Sequence, residues 1–289
     1  MNSLSKDSAS LQHVDESSEN QRIDNYLLRI LKGVPKSHIY RILRSGEVRV
    51  NSGRVRASYR LHAGDQVRVP PIRTAAKAGN TRAGAVIPVF SGPVLFEDDD
   101  LLIVDKPSGV AVHGGSGISS GVIEQLRLAR PGLRFLELVH RLDRDTSGVL
   151  VLAKKRAALT ALHAQLREGS VRKHYLALVM GEWKEGKRQV KAALHKYVTT
   201  SGERRVVVAE EGQEAHTIFR LISNMPGYTL LDAELKTGRT HQIRVHLAHI
   251  GFPIAGDDKY GDFEANKRLI KQGLKRMFLH AASLEFRHP

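Results

Sequence analysis

Hydrophobic and polar positions divide the chain into segments of different character. In residues 21–72, apolar side chains first recur at helical spacing, in RIDNYLLRIL and PKSHIYRILRSG, and then alternate with polar ones in EVRVNS and QVRVPP. Helical spacing gathers every third or fourth residue on one face, whereas alternation gathers every second residue on one face of a strand. The pattern predicts two short helices, the second capped by Ser37 and ended by Gly46, and then two strands separated by a turn at Gly64 and Asp65.

The segments that flank this ααβ unit lack such a pattern. Residues 1–20 are polar and rich in serine and asparagine, which is typical of a disordered tail. Residues 73–93 have no apolar period and are rich in alanine, glycine and proline, which indicates a linker. Residues 21–72 are therefore expected to form a small domain of their own.

From residue 94 to residue 289, apolar runs suited to strands alternate with a few helical patterns. LLIVD and GVLVLAKK are continuous apolar runs, and KHYLALVMG, HTIFRLIS and YTLLDAELKT have the composition of further strands. RAALTALHAQLREG predicts an amphipathic helix closed by Gly169, and THQIRVHLAHIGFP predicts another that begins at Thr240 and stops at Gly251 and Pro253. Many strands and few helices favour an α+β fold with a mixed, mainly antiparallel sheet.

Composition limits what such a two-domain protein does. The 289 residues contain no cysteine, which excludes disulfides and a cysteine nucleophile. No run approaches the roughly 18 apolar residues of a membrane span, and the polar start does not resemble a signal peptide, so we expect a cytoplasmic protein. The net charge is +15, and residues 22–73 hold twelve lysines and arginines against three acidic residues. This balance favours nucleic acid as the partner, with a solvated basic surface as the alternative.

The stretch HRLDRDTSG, which begins at His140, concentrates polar chemistry before an apolar strand. Its aspartates and arginines could simply pair with each other in a surface turn. His140, Asp143 and Asp145 could bind a metal, but Arg141 and Arg144 would repel a divalent ion. Asp143 and Asp145 could also act as the carboxylate pair of a hydrolase, although their spacing does not fix the separation of their carboxyl groups. The residues alone leave these alternatives open.

HRLDRDTSG also resembles the signature of the RluA-type pseudouridine synthases. Three further stretches resemble the same family in the same order: DKPSGVAVH, KHYLALVMG and TGRTHQIRVH. HGGSG and ELVHRLDRDTSG are most similar to the members that modify large-subunit (23S) ribosomal RNA. The resemblance implies an isomerase that detaches uracil from its ribose, turns it and rejoins it through carbon. It implies no cofactor and no metal, and it suggests a bacterial monomer.

The resemblance assigns roles to single residues of the larger domain. Asp143 matches the catalytic aspartate, an ionised nucleophile or base, and Arg244 matches the arginine that pairs with it and holds its pKa down. Tyr175 matches a tyrosine that stacks on the uracil and helps to remove the C5 proton. Arg141 matches an arginine that fills the space left by a flipped uridine. His241 and the other histidines beside these motifs are expected to be hydrogen-bonding supports.

Residues 21–72 resemble the S4 domain, an RNA-binding module. This resemblance implies that the second helix and the following loop lie against RNA. The arginines expected to contact RNA are Arg41, Arg44, Arg49, Arg54 and Arg56.

Two other functions remain open on the sequence. The chain could be a sister synthase that acts on other ribosomal or transfer RNA uridines, or an inactive RNA-binding factor that kept the S4 domain. The chain ends at LEFRHP, where relatives of this kind continue with a strand and a helix, so a truncated C-terminus is expected.

Overall fold

A computed structural model of the protein describes residues 8–31, 33–72, 88–114 and 120–289. They divide between two units, Met1–Val86 and Ile87–Pro289, whose boundary falls inside the segment predicted as a linker. The start of the predicted tail, most of that linker and part of HGGSG lie outside the described residues.

The first unit is a small α/β domain with a four-stranded antiparallel sheet in the order β1-β4-β2-β3. Its elements are β1 Ser10–His13, a 3-10 turn Glu16–Ser18, α1 Ile23–Ile30, α2 Lys36–Arg44, β2 Arg49–Val50, β3 Gly53–Arg54 and β4 Gln66–Val69. The apolar faces of both helices are buried against the sheet, with Ile23, Leu27, Ile39 and Ile42 almost fully enclosed. The predicted two helices and following strands are therefore confirmed.

Two details of this unit differ from the prediction. Strand β1 lies within the segment predicted as a disordered tail, where it pairs with β4 from Ser10 to His13 and is followed by the buried Val14. A strand that pairs at a sheet edge gains main-chain hydrogen bonds whatever its side chains are. A polar edge strand such as β1 therefore cannot be recognised from its amino-acid composition. Ser37 does not cap α2, because the helix begins one residue after Pro35, whose fixed φ suits a helix start.

The second unit is built on a nine-stranded sheet in the order β10-β13-β14-β9-β15-β8-β6-β5, with β7 beside β8. All pairings are antiparallel except that of β15 with β8, so the predicted mixed, mainly antiparallel sheet is confirmed. The elements are β5 Val94–Glu97, β6 Leu101–Lys106, α3 Val122–Ala129, β7 Glu137–Leu138, β8 Ser147–Ala153, α4 Arg156–Glu168, β9 Arg172–Met180, β10 Lys187–Lys191, β11 Leu194–Val198, β12 Arg204–Val208, β13 His216–Met225, β14 Tyr228–Leu235, α5 Gln242–His249, α6 Phe263–Lys271 and β15 Leu279–Glu285.

Helices cover both faces of this sheet. Alternate residues of β6 and β8 point either into the main core with α3 and α5 or into a second cluster with α4. Helix α4 ends at Gly169 as predicted. Helix α5 begins at Gln242 rather than Thr240, because His241 has a left-handed backbone with φ +53°. None of the described helices is long and apolar enough to cross a membrane.

Strand β15 brings two of the predicted motifs together. Ala281 pairs with Gly148 of β8 on one side and with Tyr175 of β9 on the other. Gly148 has φ +112°, and a Cβ atom there would lie 2.2 Å from the carbonyl oxygen of Ala281, so no other residue fits without a shift. The loop of HRLDRDTSG therefore enters β8 beside the strand that carries Tyr175.

Candidate active site

A cavity of about 510 Å³ lies in the second unit, where three of the four predicted motifs meet. The HRLD loop contributes Arg141 and Asp143, β9 contributes Tyr175, and the start of α5 contributes Arg244. Lys173, Lys196 and Arg239 also line the cavity and add positive charge. The residues that the sequence singled out in this unit are thus brought to one cavity from widely separated parts of the chain.

Asp143 and Arg244 are in contact at the centre of this site. Arg244 Nη1 lies 3.4 Å from Asp143 Oδ2, and the side chain of Arg244 is 2% exposed, against 25% for Asp143. Contrary to the prediction from the sequence, helix α5 is not amphipathic around Arg244, because six consecutive residues, 242–247, are all buried. The guanidinium reaches the cavity from inside the core, and the carboxylate faces it from the solvent side.

The strongest partner of Arg244 is Asp257, which sequence reasoning did not identify. Asp257 Oδ2 and Oδ1 accept hydrogen bonds from Arg244 Nε at 2.8 Å and Nη2 at 2.7 Å, and the Asp257 side chain is 1% exposed. Burial opposes ionisation of Asp257, but Arg244 and the main-chain N–H groups of Lys259 and Tyr260 outweigh it and lower its pKa. Asp257 lies in the sequence GDDKYG, where no periodicity marks it as buried.

Burial lowers the pKa of Arg244, but the hydrogen bonds to Asp257 and the charges of Asp257 and Asp143 exceed that effect and raise it. The guanidinium therefore stays charged although it is enclosed. Two of its three nitrogens are held by Asp257, and this fixes the direction in which the third one points.

Tyr175 lines the cavity and is 9% exposed. Its neighbours across the sheet are Ala233 of β14 and Ala281 of β15, whose small side chains leave room for the ring. Burial, and secondarily the negative charge of Asp143, raise the pKa of Tyr175. The phenol is therefore protonated at neutral pH.

The charges of HRLDRDTSG serve different purposes in the structure. Arg144 and Asp145 pair with each other in the turn, at 3.1 and 3.2 Å, so the surface-turn interpretation is correct for these two residues. The main chain of the same turn is bound by the DKPSG stretch: Lys106 Nζ and Gly109 N donate to Arg144 O, and Ser108 Oγ donates to Asp145 O. The first and second predicted motifs therefore form one bonded unit around Asp143.

His140 ties the other end of this loop to the sheet. Its Nε2 accepts a hydrogen bond from Val151 N at 3.1 Å, and burial, with Lys173 nearby, lowers its pKa to about 4. Among the described residues, no three histidine or acidic side chains are arranged so that they could hold a metal ion. Arg141, next to His140, is exposed at the rim of the cavity.

The first unit carries its own basic surface. Arg41, Arg44, Arg49, Arg54 and Arg56 are all exposed. The register of the sheet places Arg54, Arg49 and Arg68 opposite one another on β3, β2 and β4, and these three line a cavity of about 540 Å³. Like charges directly opposite each other destabilise a sheet, so this row fits a surface that is neutralised by a polyanion. The sequence analysis did not identify Arg68 as a residue that contacts RNA.

Family comparisons agree with the two units. Residues 100–249 match the family described as RNA pseudouridylate synthase, and residues 21–67 match the S4 domain.

Several curated bacterial proteins are similar to nearly the whole chain. The chain is 54% identical to "Ribosomal large subunit pseudouridine synthase C" of Haemophilus influenzae, with 96% of this chain and 86% of that protein covered. It is 54% identical to the Escherichia coli K12 protein of the same name, with 93% and 86% covered. Among solved structures, "Human RNA Pseudouridylate Synthase Domain Containing 1" is 27% identical, with 71% of this chain and 81% of that one covered and a TM-score of 0.59.

Proposed function

Because the chain belongs to the RNA pseudouridylate synthase family, we propose that it converts uridines of large-subunit (23S) ribosomal RNA to pseudouridine. Enzymes of this family are isomerases. The proposed RNA follows from relatives that are 54–56% identical to this chain and whose names refer to the ribosomal large subunit. The observation that carries the proposal is the position of Asp143, a partly exposed carboxylate in an open cavity, faced by a buried arginine that Asp257 holds in place.

Asp143 is proposed to act as the ionised nucleophile or base. Arg244 faces Asp143 Oδ2 with a charged nitrogen, Nη1, at 3.4 Å, and this contact orients the carboxyl group in the cavity. The 3.4 Å contact is longer than a strong charge-assisted hydrogen bond. The carboxylate is therefore oriented, but its oxygen is not held by a short hydrogen bond. A nucleophile needs this combination, because a tightly bound oxygen must first break its bond to react.

Tyr175 and Arg141 are proposed to handle the base and the space it leaves. The Tyr175 ring supplies an aromatic surface for the uracil, and its raised pKa means that it works as a neutral phenol rather than as a phenolate. Arg141 is exposed at the rim, where its planar guanidinium can stack on the bases that flank an extruded uridine.

The basic surface of the first unit is proposed to bind the phosphates of the same RNA. The exposed arginines Arg41, Arg44, Arg49, Arg54 and Arg56, with Arg68 in addition, give a contact that does not depend on base sequence. All residues proposed for the chemistry come from one chain, which supports a monomer. The similar bacterial proteins are named for the ribosomal large subunit. Because bacteria make ribosomal RNA in the cytoplasm, this supports a cytoplasmic location for the chain.

The test is to map pseudouridines in ribosomal and transfer RNA from cells with and without the gene, and to complement the deletion with wild type or Asp143→Asn. We expect specific large-subunit positions to lose pseudouridine and only the wild type to restore them. Asparagine has nearly the same shape as aspartate but cannot be an ionised nucleophile or base. Loss of modification in transfer RNA instead would indicate a sister synthase. Unchanged modification everywhere would indicate an RNA-binding factor.

A further inference from the structure

His241 is held in an unusual backbone conformation beside the site. It precedes the first residue of α5 with φ +53° and ψ 19°, in the left-handed region that residues other than glycine adopt uncommonly, although histidine does so more often than most. Its main-chain carbonyl still accepts the first helical hydrogen bond, from Val245 N. Residues keep such conformations when their surroundings impose them, and these residues are concentrated at functional sites.

The hydrogen bonds around Tyr260 favour one tautomer of this histidine. Tyr260 Oη accepts a hydrogen bond from Val206 N at 3.0 Å and lies 2.8 Å from His241 Nδ1. With its oxygen engaged by Val206, the hydroxyl is free to donate its proton to Nδ1. A neutral imidazole that accepts at Nδ1 carries its own proton on Nε2. Burial and the charge of Arg244 lower the pKa of His241 against the effect of Asp143, which is consistent with the neutral ring.

This proton faces the proposed nucleophile. His241 Nε2 lies 3.8 Å from Asp143 Oδ2, the same oxygen that faces Arg244 Nη1 at 3.4 Å. Both distances exceed the roughly 2.7–3.2 Å of a hydrogen bond. Hydrogen bonds in active sites are often long before substrate binds and tighten in the complex. The side chain of His241 is 15% exposed and lines the cavity, so it is placed to respond to the bound RNA.

We propose that His241 is a positioning residue for Asp143. Its Nε2–H and the Arg244 guanidinium hold Oδ2 from two directions and turn Oδ1 towards the substrate. Tyr260 keeps the ring in the tautomer that makes this possible. A neutral donor orients the carboxylate without adding a second positive charge, which would weaken it as a nucleophile. The inference rests on the role proposed above for Asp143.

A purely structural role for His241 makes a different prediction, and two variants separate the two roles. Asn is tolerated in the left-handed region better than other residues with side chains, and its amide oxygen can replace Nδ1 as the acceptor for Tyr260, but it is too short to reach Asp143. Gln fits that backbone less well, but it can place an amide N–H near the position of Nε2. If His241 is only structural, His241→Asn should be both the more stable and the more active variant. If His241 positions Asp143, His241→Gln should be the more active variant although it is less stable.

The experiment measures single-turnover rates at saturating enzyme, RNA affinity and urea unfolding for wild type, His241→Asn, His241→Gln and, as a blank, Asp143→Asn. The substrate is a ribosomal RNA fragment that the wild type modifies. We expect His241→Asn to be the more stable variant but to lose about tenfold to a hundredfold in rate with unchanged RNA affinity, as for a misplaced catalytic group. His241→Gln should recover part of that rate despite its lower stability.

Two results would overturn the inference: rates that follow stability, with Asn equal to or better than Gln, or wild-type rates in both variants. A wild-type enzyme that makes no pseudouridine in any RNA would contradict the proposed function instead. The two failures are therefore distinguishable.

Discussion

Asp257 binds two of the three guanidinium nitrogens of Arg244, at 2.8 and 2.7 Å, deep inside the second unit. The charge of the arginine is thus largely balanced before Asp143 is considered. Its effect on Asp143 is directional as much as electrostatic, because the position of Nη1 is fixed by bonds on the far side of the same group.

Arg244→Lys should inactivate the enzyme although it keeps the charge. A lysine has one nitrogen and no planar fork, so it cannot bind Asp257 twice and face Asp143 at the same time. We expect the single-turnover rate to fall by about a hundredfold or more, because a misplacement of about 1 Å can cost a reacting group that much. RNA affinity should not change, because the residue is buried. A rate within twofold of wild type would show that charge alone is sufficient.

Asp257→Asn should also reduce the rate, although Asp257 does not line the cavity. The amide can accept only one hydrogen bond from Arg244 and leaves a buried positive charge without its anion. Breaking one side of a buried ion pair costs about 3–5 kcal/mol, so the free energy of unfolding should fall as well. Rates are compared at a temperature where urea titration shows the variant folded. An active, stable variant would contradict the anchoring role.

The convergence of Asp143, Tyr175 and Arg244 could be predicted from the sequence, because each lies in a stretch that resembles one family in the same order. Asp257 could not. Asp257 becomes buried only when the loop before α6 folds over α5. A polar loop has no hydrophobic periodicity from which this contact could be predicted. The role of a residue that holds another residue is visible only in three dimensions.

Some strands of the fold could be predicted from the sequence and others could not. Strands with continuous or alternating apolar residues, such as β8 and β14, were predicted from their patterns. Strands β1 and β10 were not, because SLQH and KRQVK are largely polar and are held by edge pairing with β4 and β13. Main-chain hydrogen bonds stabilise such edges and leave no mark in the sequence.

Arg141→Ala should impair modification of structured RNA more than modification of flexible RNA. If the arginine fills the space of an extruded uridine, its loss leaves the cost of unstacking, a few kcal/mol, uncompensated. A short unstructured RNA does not carry that cost. The control is Arg144→Ala, three residues further along the same loop, whose side chain pairs with Asp145. Equal losses on both RNAs, or equal losses in both variants, would contradict the flipping role of Arg141.

Lys106 should make stability depend on pH in the alkaline range. Its buried Nζ donates to the carbonyl oxygens of Pro107, Val110 and Arg144, and burial lowers its pKa to about 8. In the unfolded chain a lysine titrates near 10.4. Between these values the unfolded chain binds more protons, so this group makes the free energy of unfolding rise with pH, by up to about 3 kcal/mol.

Lys106→Met should remove that rise, and this is checked by urea unfolding of both proteins at pH 7, 8, 9 and 10. The advantage of the wild type over the variant should widen as the pH increases. The same replacement at exposed Lys267 is the control and should leave the slope unchanged. A constant difference between wild type and Lys106→Met over this range would show that Lys106 has no depressed pKa in the folded protein.

The row of arginines in the first unit should determine how strongly RNA binding depends on salt. Each phosphate contact that is lost removes roughly 0.7–0.9 from the slope of log affinity against log salt. Replacing Arg49, Arg54 and Arg68 by Gln should therefore lower the slope by about two units if each contacts a phosphate. The rate at saturating enzyme on a short RNA should stay close to wild type, because the residues proposed for the chemistry belong to the other unit.

The matched control replaces three cations of α6, Lys267, Arg268 and Lys271, by Gln. An equal fall in both triple variants would mean that total charge, rather than this row, binds the RNA.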